Sequence, residues 1–259
     1  MALVPPWAAP DPETDPDQPN AEPAGPLDLT EEPDTGEASP LAPPGRFRDA
    51  RRQLGSFART GDTDALHRGL GHYVRSGYGG SATFSRRLAA VGGKSGRLYN
   101  VLATGRLPNG TALADVVLVA SGQADVLLDA VVNSLQEPNG TQDAEATRKA
   151  TRTALSDLLQ RYPDADLLTL DADQRLFVVE RYTAEEIFLR VRLDLHDAIA
   201  LHAADASTML SRLRQVRSYV QQAVAAQFRA LATPPATASQ VRAVVSQVIK
   251  TTLSVFEEF

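Results

Sequence analysis

LRQVRSYVQQAVAAQFRAL, residues 213–231, places Leu213, Val216, Val220, Val224, Phe228 and Leu231 at steps of three or four residues. An α-helix turns once every 3.6 residues, so these side chains gather on one side and form a single seam to be buried. Upstream, Ala150, Ala154, Leu155, Leu158, Leu159 and Tyr162 share another helical face, and Pro163 ends that helix. Downstream of Pro234-Pro235, a third stripe holds Val241, Val244, Val245, Val248, Ile249, Leu253 and Phe256. Asp171 with Gln174 matches a capping box and predicts the start of a long apolar-rich helix reaching about Ala203. Successive one-sided helices bury their stripes by packing antiparallel, so the fold class is all-α, a helical bundle. Val220, in the middle of its stripe, is predicted to be buried.

Ahead of these stripes the helices are shorter and richer in glycine. Residues 47–59 and 63–76 read as two helices, with Asp62 placed to cap the second and Gly77 to stop it. Gly69 and Gly71 each cost a helix about 1 kcal/mol against alanine, which predicts close packing against that face. A third helix is expected around residues 84–103, interrupted at Gly92-Gly93 and at Gly96. The run from Val116 to Val119 reads either as a short strand or as a buried helix. Pro-Asn-Gly-Thr occurs at 108–111 and again at 138–141 as turns, each threonine a candidate helix cap. Their flanks differ, so they are recurring turns and not a structural repeat.

Charge divides the chain. Residues 1–45 hold ten Asp or Glu, no Lys or Arg, and twelve of the 17 prolines. With few large apolar residues to offset ordering, they read as a disordered, acidic, Pro-rich tail. Residues 46–97 reverse the balance, with eleven basic against three acidic residues. The expected organisation is therefore the tail at 1–45, a basic Gly/Arg-rich helical region at 46–106, and an α-helical bundle at 107–259. The absence of cysteine excludes disulfides, thiolate zinc sites and cysteine nucleophiles. The start carries no charged-then-apolar signal pattern, and no apolar run reaches the roughly 18 residues of a membrane span. A cytoplasmic protein with no membrane association is expected.

No catalytic constellation stands out. Gly92-Gly93-Lys94-Ser95 imitates the end of a phosphate-binding loop, but Leu88 occupies the position of the first glycine, and the preceding residues read as helix where the motif needs a strand. His67 and His72 are five apart and His196 and His202 six apart, so neither pair has the spacing that aims two imidazoles at one metal. The acids around 142–145 and 164–173 sit at expected helix starts, where they complement the helix dipole. No serine lies in a G-x-S-x-G elbow. The reading is a non-enzyme without cofactor.

The residues suited to intermolecular contact are the arginines. Arg46, Arg48, Arg51, Arg52 and Arg59 accompany Phe47 and Phe57, while Arg68 and Arg75 accompany Tyr73 and Tyr78. Guanidinium and aromatic groups together suit phosphates and bases, an acidic protein partner, or this chain's own acidic tail. In the tail, Val4-Pro5-Pro6-Trp7 combines a proline-stiffened backbone with the only tryptophan, the make-up of a short segment that docks in a partner's groove.

Several stretches resemble the QatB family, the B component of the four-gene Qat anti-phage defence system of bacteria. They are LVPPW at 3–7, APPGRFRDARRQLGSFARTG at 42–61, ALHRGLGHYVRSGYGG at 65–80, GTQDAEATRKA at 140–150 and ALSDLLQRYPDADLL at 154–168. The most specific is GLGHYVRSGYGG, which holds His72, Tyr73 and Tyr78; His72 taken alone reads as a helix-packing histidine. The resemblance implies a system of P-loop ATPase, B component, QueC-like enzyme and TatD-like nuclease. It further implies that the B component is the binding partner and substrate of the QueC-like enzyme. That enzyme class activates a 7-carboxy-7-deazaguanine with ATP, and in defence systems joins the base to a protein amino terminus. Family members commonly begin Met-Gly-Thr-Ser before the L-V-P-x-W motif, whereas this sequence passes from Met1-Ala2 straight into it, so no acceptor residue carries over. The candidate partner-binding residues are thus Val4, Pro5, Pro6, Trp7, Arg46, Arg51, Arg52, Arg59, His72, Tyr73 and Tyr78. The alternative is a nucleic-acid-binding helical module that brings phage DNA to the TatD-like nuclease.

Overall fold

The three apolar stripes become three long helices in the computed structural model, which describes residues 45–119, 124–136 and 140–259. They are α7 (Gln142–Arg161), α9 (Ala206–Arg229) and α10 (Ala238–Glu257). Val216, Val220, Val224 and Phe228 of α9 are buried, as are Val241, Val245, Val248, Ile249, Leu253 and Phe256 of α10, while Leu213, Leu231 and Val244 are half-buried at the stripe edges. The long helix α8 (Ala172–Ala200) starts at the expected capping box: Asp171 accepts from the Gln174 N–H and the Gln174 side chain accepts from the Asp171 N–H. It packs against α7, α9, α1 (Arg48–Thr60), α4 (Ala89–Thr104) and α10, and so forms the centre of the molecule. Among the described residues there are ten α-helices and no strand, an all-α fold.

The short helices feed the same core, which draws on buried residues from Phe47 to Phe256. Gly61 turns left-handed at φ 76° and ends α1, and Asp62 caps α2 (Thr63–His72). The chain then widens into a π turn at Tyr73–Gly77 where a plain α-helix was expected. The close packing predicted at Gly69 and Gly71 is present. A Cβ on Gly69 would lie 2.9 Å from Leu54, and one on Gly71 would lie 2.9 Å from the backbone of Phe259.

The third helix departs from expectation. Its break falls at Leu88, between α3 (Ser81–Arg87) and α4, and α4 runs unbroken through Gly92, Gly93 and Gly96. The reason is packing: a Cβ on Gly92 would lie 2.7 Å from Ser246 Oγ, and one on Gly96 would lie 2.7 Å from the Ala238 carbonyl oxygen. Glycines four residues apart let α10 approach the α4 backbone, and that contact replaces the intrinsic helix propensity they lack. The Val116–Val119 stretch belongs to a helix, α5 (Leu113–Val119), which packs on α6 (Ala124–Leu135). Of the two Pro-Asn-Gly-Thr turns, the second provides a cap, Thr141 accepting from Ala144 N–H. At the first, the Thr111 N–H donates to Asn109 within the turn, and α5 begins two residues later. The acidic tail lies outside the described residues apart from Gly45.

Candidate functional site

The arginine-rich segment folds into a helix with two unlike faces. Ala50, Leu54, Phe57 and Ala58 of α1 point into the core, while Arg48, Arg51, Arg52 and Arg59 are exposed on the opposite side. On the next segment Arg68 and Arg75, one heptad apart, are exposed as well. The ion pairs made by this ridge are Arg52 with Asp49 at 3.3 Å and Arg68 with Asp62 at 3.6 Å, all well exposed and therefore weak. Arg51 and Arg59 enter no ion pair among the described residues. Arg46 lies half-buried across two rings, 4.3 Å from the centroid of Phe47 and 5.4 Å from that of Tyr78.

Tyr73 and Tyr78 lead inward. Five residues along an α-helix stand roughly 140° apart around the axis, but the wider π turn brings both rings to one side. Their hydroxyls donate to the same oxygen, Asp194 Oδ2 of α8, at 2.7 and 2.6 Å. Phe47 and Phe84 complete the cluster, Phe84 stacked on Tyr78 at 3.9 Å and meeting Tyr73 edge-on at 5.3 Å. Tyr73 is fully buried, which pushes its hydroxyl well above the ordinary tyrosine range; burial takes Tyr78 to about 12. Both are neutral donors at physiological pH, and Arg87 stands over the outer side of Tyr78 at 5.5 Å. Of the sequence-predicted set, Arg51, Arg52 and Arg59 are therefore exposed and Arg46 and His72 half-buried, while the rings of Tyr73 and Tyr78 anchor this segment to α8. Val4, Pro5, Pro6 and Trp7 lie outside the described residues.

Two turns back along α8 a second carboxylate is taken by hydroxyls. Glu186 Oε1 accepts from Tyr182 OH at 2.6 Å and from Thr147 Oγ1 at 2.9 Å, and Lys94 Nζ donates to that threonine at 2.7 Å. Burial raises the Glu186 carboxyl above its usual range, and it raises the Tyr182 hydroxyl too. A cavity of about 80 Å³ opens beside them, lined also by Arg87, Asp143 and Arg190. Lys94 thus holds α4 to α7, in place of the phosphate-binding role that its Gly-Gly-Lys-Ser setting imitates. Thr147 and Lys94 tie α7 and α4 to Glu186 of α8, and these bonds join three helices.

Two of the other histidines, His67 and His202, are accounted for by packing. His67 lies between the rings of Tyr219 and Phe259 at 4.6 and 4.7 Å. His202 hydrogen-bonds the Ala198 carbonyl through Nδ1 at 2.9 Å and fills the space above Gly55. Among the described residues no three His, Asp or Glu side chains converge as metal ligands would.

A family model described as QatB, Qat anti-phage system associated protein QatB, matches residues 79–256. The chain belongs to the QatB family. Membership makes it an associated component of the Qat anti-phage system, with partners inside that system. The matched span contains Lys94, Thr147, Tyr182, Glu186 and Asp194, whereas α1, Tyr73 and Tyr78 precede it. No curated protein matches this QatB-family chain, and no solved structure does. Among its described residues no helix is long and apolar enough to cross a membrane.

Glu186 and Asp194 went unnoticed in the sequence, where each is one acid among many in a long helix. Their one signal is position: they fall in the middle of an apolar-rich helix, where an acid must find donors.

Proposed function

We propose that this QatB-family chain is a non-enzymatic binding partner of the QueC-like enzyme of its Qat system, and the protein on which that enzyme modifies the amino terminus. The observation that carries the reading is family membership, matched over residues 79–256. In support, the carboxylates of Asp194 and Glu186 take the hydroxyls of Tyr73, Tyr78 and Thr147 and hold helices together, and the groups left outward include contact groups, foremost the arginine ridge of α1. In this reading the tail presents the amino terminus to the enzyme. Trp7 enters an apolar pocket there, and Pro5 and Pro6 limit the ordering cost. Arg51, Arg52 and Arg59 add contacts to acidic groups.

Co-purification with the QueC-like enzyme tests this, using wild type, Trp7→Ala and a deletion of residues 1–44, with the intact mass of the bound chain measured. Trp7→Ala is expected to weaken association by about 2 kcal/mol, the deletion by more, and the wild type to gain mass at its amino terminus. Equal binding by wild type and deletion overturns the docking role, and an unchanged mass after turnover overturns the substrate role. The exposed arginine ridge also favours a second reading, nucleic-acid binding. Tight, sequence-selective DNA binding independent of residues 1–44 would place that reading first.

A further inference from the structure

Two adjoining hollows follow the face of α8 that carries Leu189, Arg192 and Leu193, one against α7 and the other against the start of α9. Their volumes are about 410 and 340 Å³, and Lys149 and Arg192 line both. The base is apolar: Leu189 and Phe188 are 4% and 7% exposed. Above it stand Leu193 and Leu210, 44% and 54% exposed. A lone exposed leucine on a protein surface is ordinary, but here one lines each of two hollows that share Lys149 and Arg192 and have an apolar base.

The rim is charged with one dominant sign. Lys149, Arg192 and Arg214 enter no ion pair among the described residues, whereas Arg217, deeper in the second hollow, is held by Glu185 and Asp157. Against them stand Asp197 and Glu145, the latter facing Arg148 at 3.9 Å. An occupant must therefore bring apolar side chains for the base and carboxylates for the rim. A nucleic acid would meet the cations but leave Leu193 and Leu210 with little to bury.

We propose that this groove docks an acidic amphipathic helix of another component of the Qat system, with apolar anchors one turn apart entering the two hollows and carboxylates reaching Lys149, Arg192 and Arg214. Helices dock in grooves in this manner through anchors at spacings of three, four and seven residues, and complementary charge sets their register. The inference requires family membership only and is independent of docking through the tail.

The test places a photo-crosslinking residue at position 193 of the full chain, produced together with the other components of its system, and identifies the captured segment by mass spectrometry. Leu193→Asp with Leu210→Asp, and separately Arg192→Glu with Arg214→Glu, are compared for association after circular dichroism shows that they fold. The expected capture is an acidic segment with apolar residues at helical spacing. Each double variant is expected to weaken that association about tenfold or more, the charge variant most at low salt. Capture of a second copy, of residues 1–44 of the same chain, of a basic segment, or of nothing overturns the proposal. Trp7→Ala run in parallel separates the two interactions: groove capture that survives it, while the QueC-like enzyme is lost, leaves the groove standing alone.

Discussion

Helices α8 and α9 pack side by side, yet they are held in the molecule by opposite means. α9 buries one stripe, Val216, Val220, Val224, Ala225 and Phe228, leaves Arg214, Gln215, Gln222 and Arg229 exposed, and reaches across to α8 with Arg217 and Gln221. α8 is buried on every side from Tyr182 through Leu189, a stretch that includes Thr183, Glu185 and Glu186. A stripe needs only apolar surface opposite it. A helix enclosed all round must give each polar side chain a partner, since a buried unpaired polar group is costly. α8 does so: Thr183 donates to the Val179 carbonyl at 2.8 Å, Glu185 meets Arg217 and Gln221, and Glu186 takes two hydroxyls. α9 is thus secured mainly by burial that many sequences could provide, and α8 also by specific donors, from its own Tyr182 and Thr183, from Thr147 of α7 and from Arg217 and Gln221 of α9.

The largest effect expected from breaking this contrast is in the stripe. Val220→Asp places a charge with no donor in a fully buried position, and should destabilise the protein by about 4 kcal/mol or more in urea denaturation. A loss within about 0.5 kcal/mol, the size of an ordinary surface change, would show that α9 does not depend on its stripe. Next comes Asp194→Ala, which leaves the buried Tyr73 hydroxyl without its acceptor and should cost about 2 kcal/mol. Asp194→Asn keeps a carbonyl oxygen there and should cost less; equal losses for the two would mean that the hydroxyl bonds are not what matters.

The smallest effect is a change in pH dependence at Glu186. Burial holds its folded carboxyl above the ordinary value of 4.5, so the folded state binds this proton more tightly than the unfolded state. Its contribution is full below 4.5 and is lost as pH rises from there through the raised folded value. Glu186→Gln cannot titrate, and its amide oxygen can still accept from Thr147 and Tyr182. Stability measured from pH 4.5 to 7 should therefore fall less steeply with rising pH in the variant than in the wild type. Glu180 and Glu185, raised by burial in the same direction, keep part of the slope in both proteins. Identical slopes would show that Glu186 binds its proton equally well in the folded and unfolded states, and so overturn the raised folded value.

The contrast also explains what could be read in advance. Hydrophobic period gave α7, α9 and α10, and local cap chemistry gave the starts at Asp62, Thr141 and Asp171, because both depend on neighbours in sequence. The glycines of α4 misled for the complementary reason. Propensity alone breaks a helix at Gly92 and Gly96, and only the approach of α10 makes them favourable. The arginines of α1 were legible as a ridge, since an amphipathic helix sorts its own faces. The role of Tyr73 and Tyr78 was not, because their direction is set by a π turn and by an acceptor on α8, more than a hundred residues away.

By itself the sequence determined an all-α body of striped helices, a basic ridge set against an acidic tail, and a resemblance to QatB, since each of these rests on residue types and short-range spacing. Tertiary structure alone decided that two carboxylates of α8 take hydroxyls from distant parts of the chain, Asp194 from Tyr73 and Tyr78 and Glu186 from Thr147, and that Leu193 and Leu210 line adjoining basic-rimmed hollows. Both follow from which helix faces are enclosed and which are left open, and that is fixed only when the helices pack.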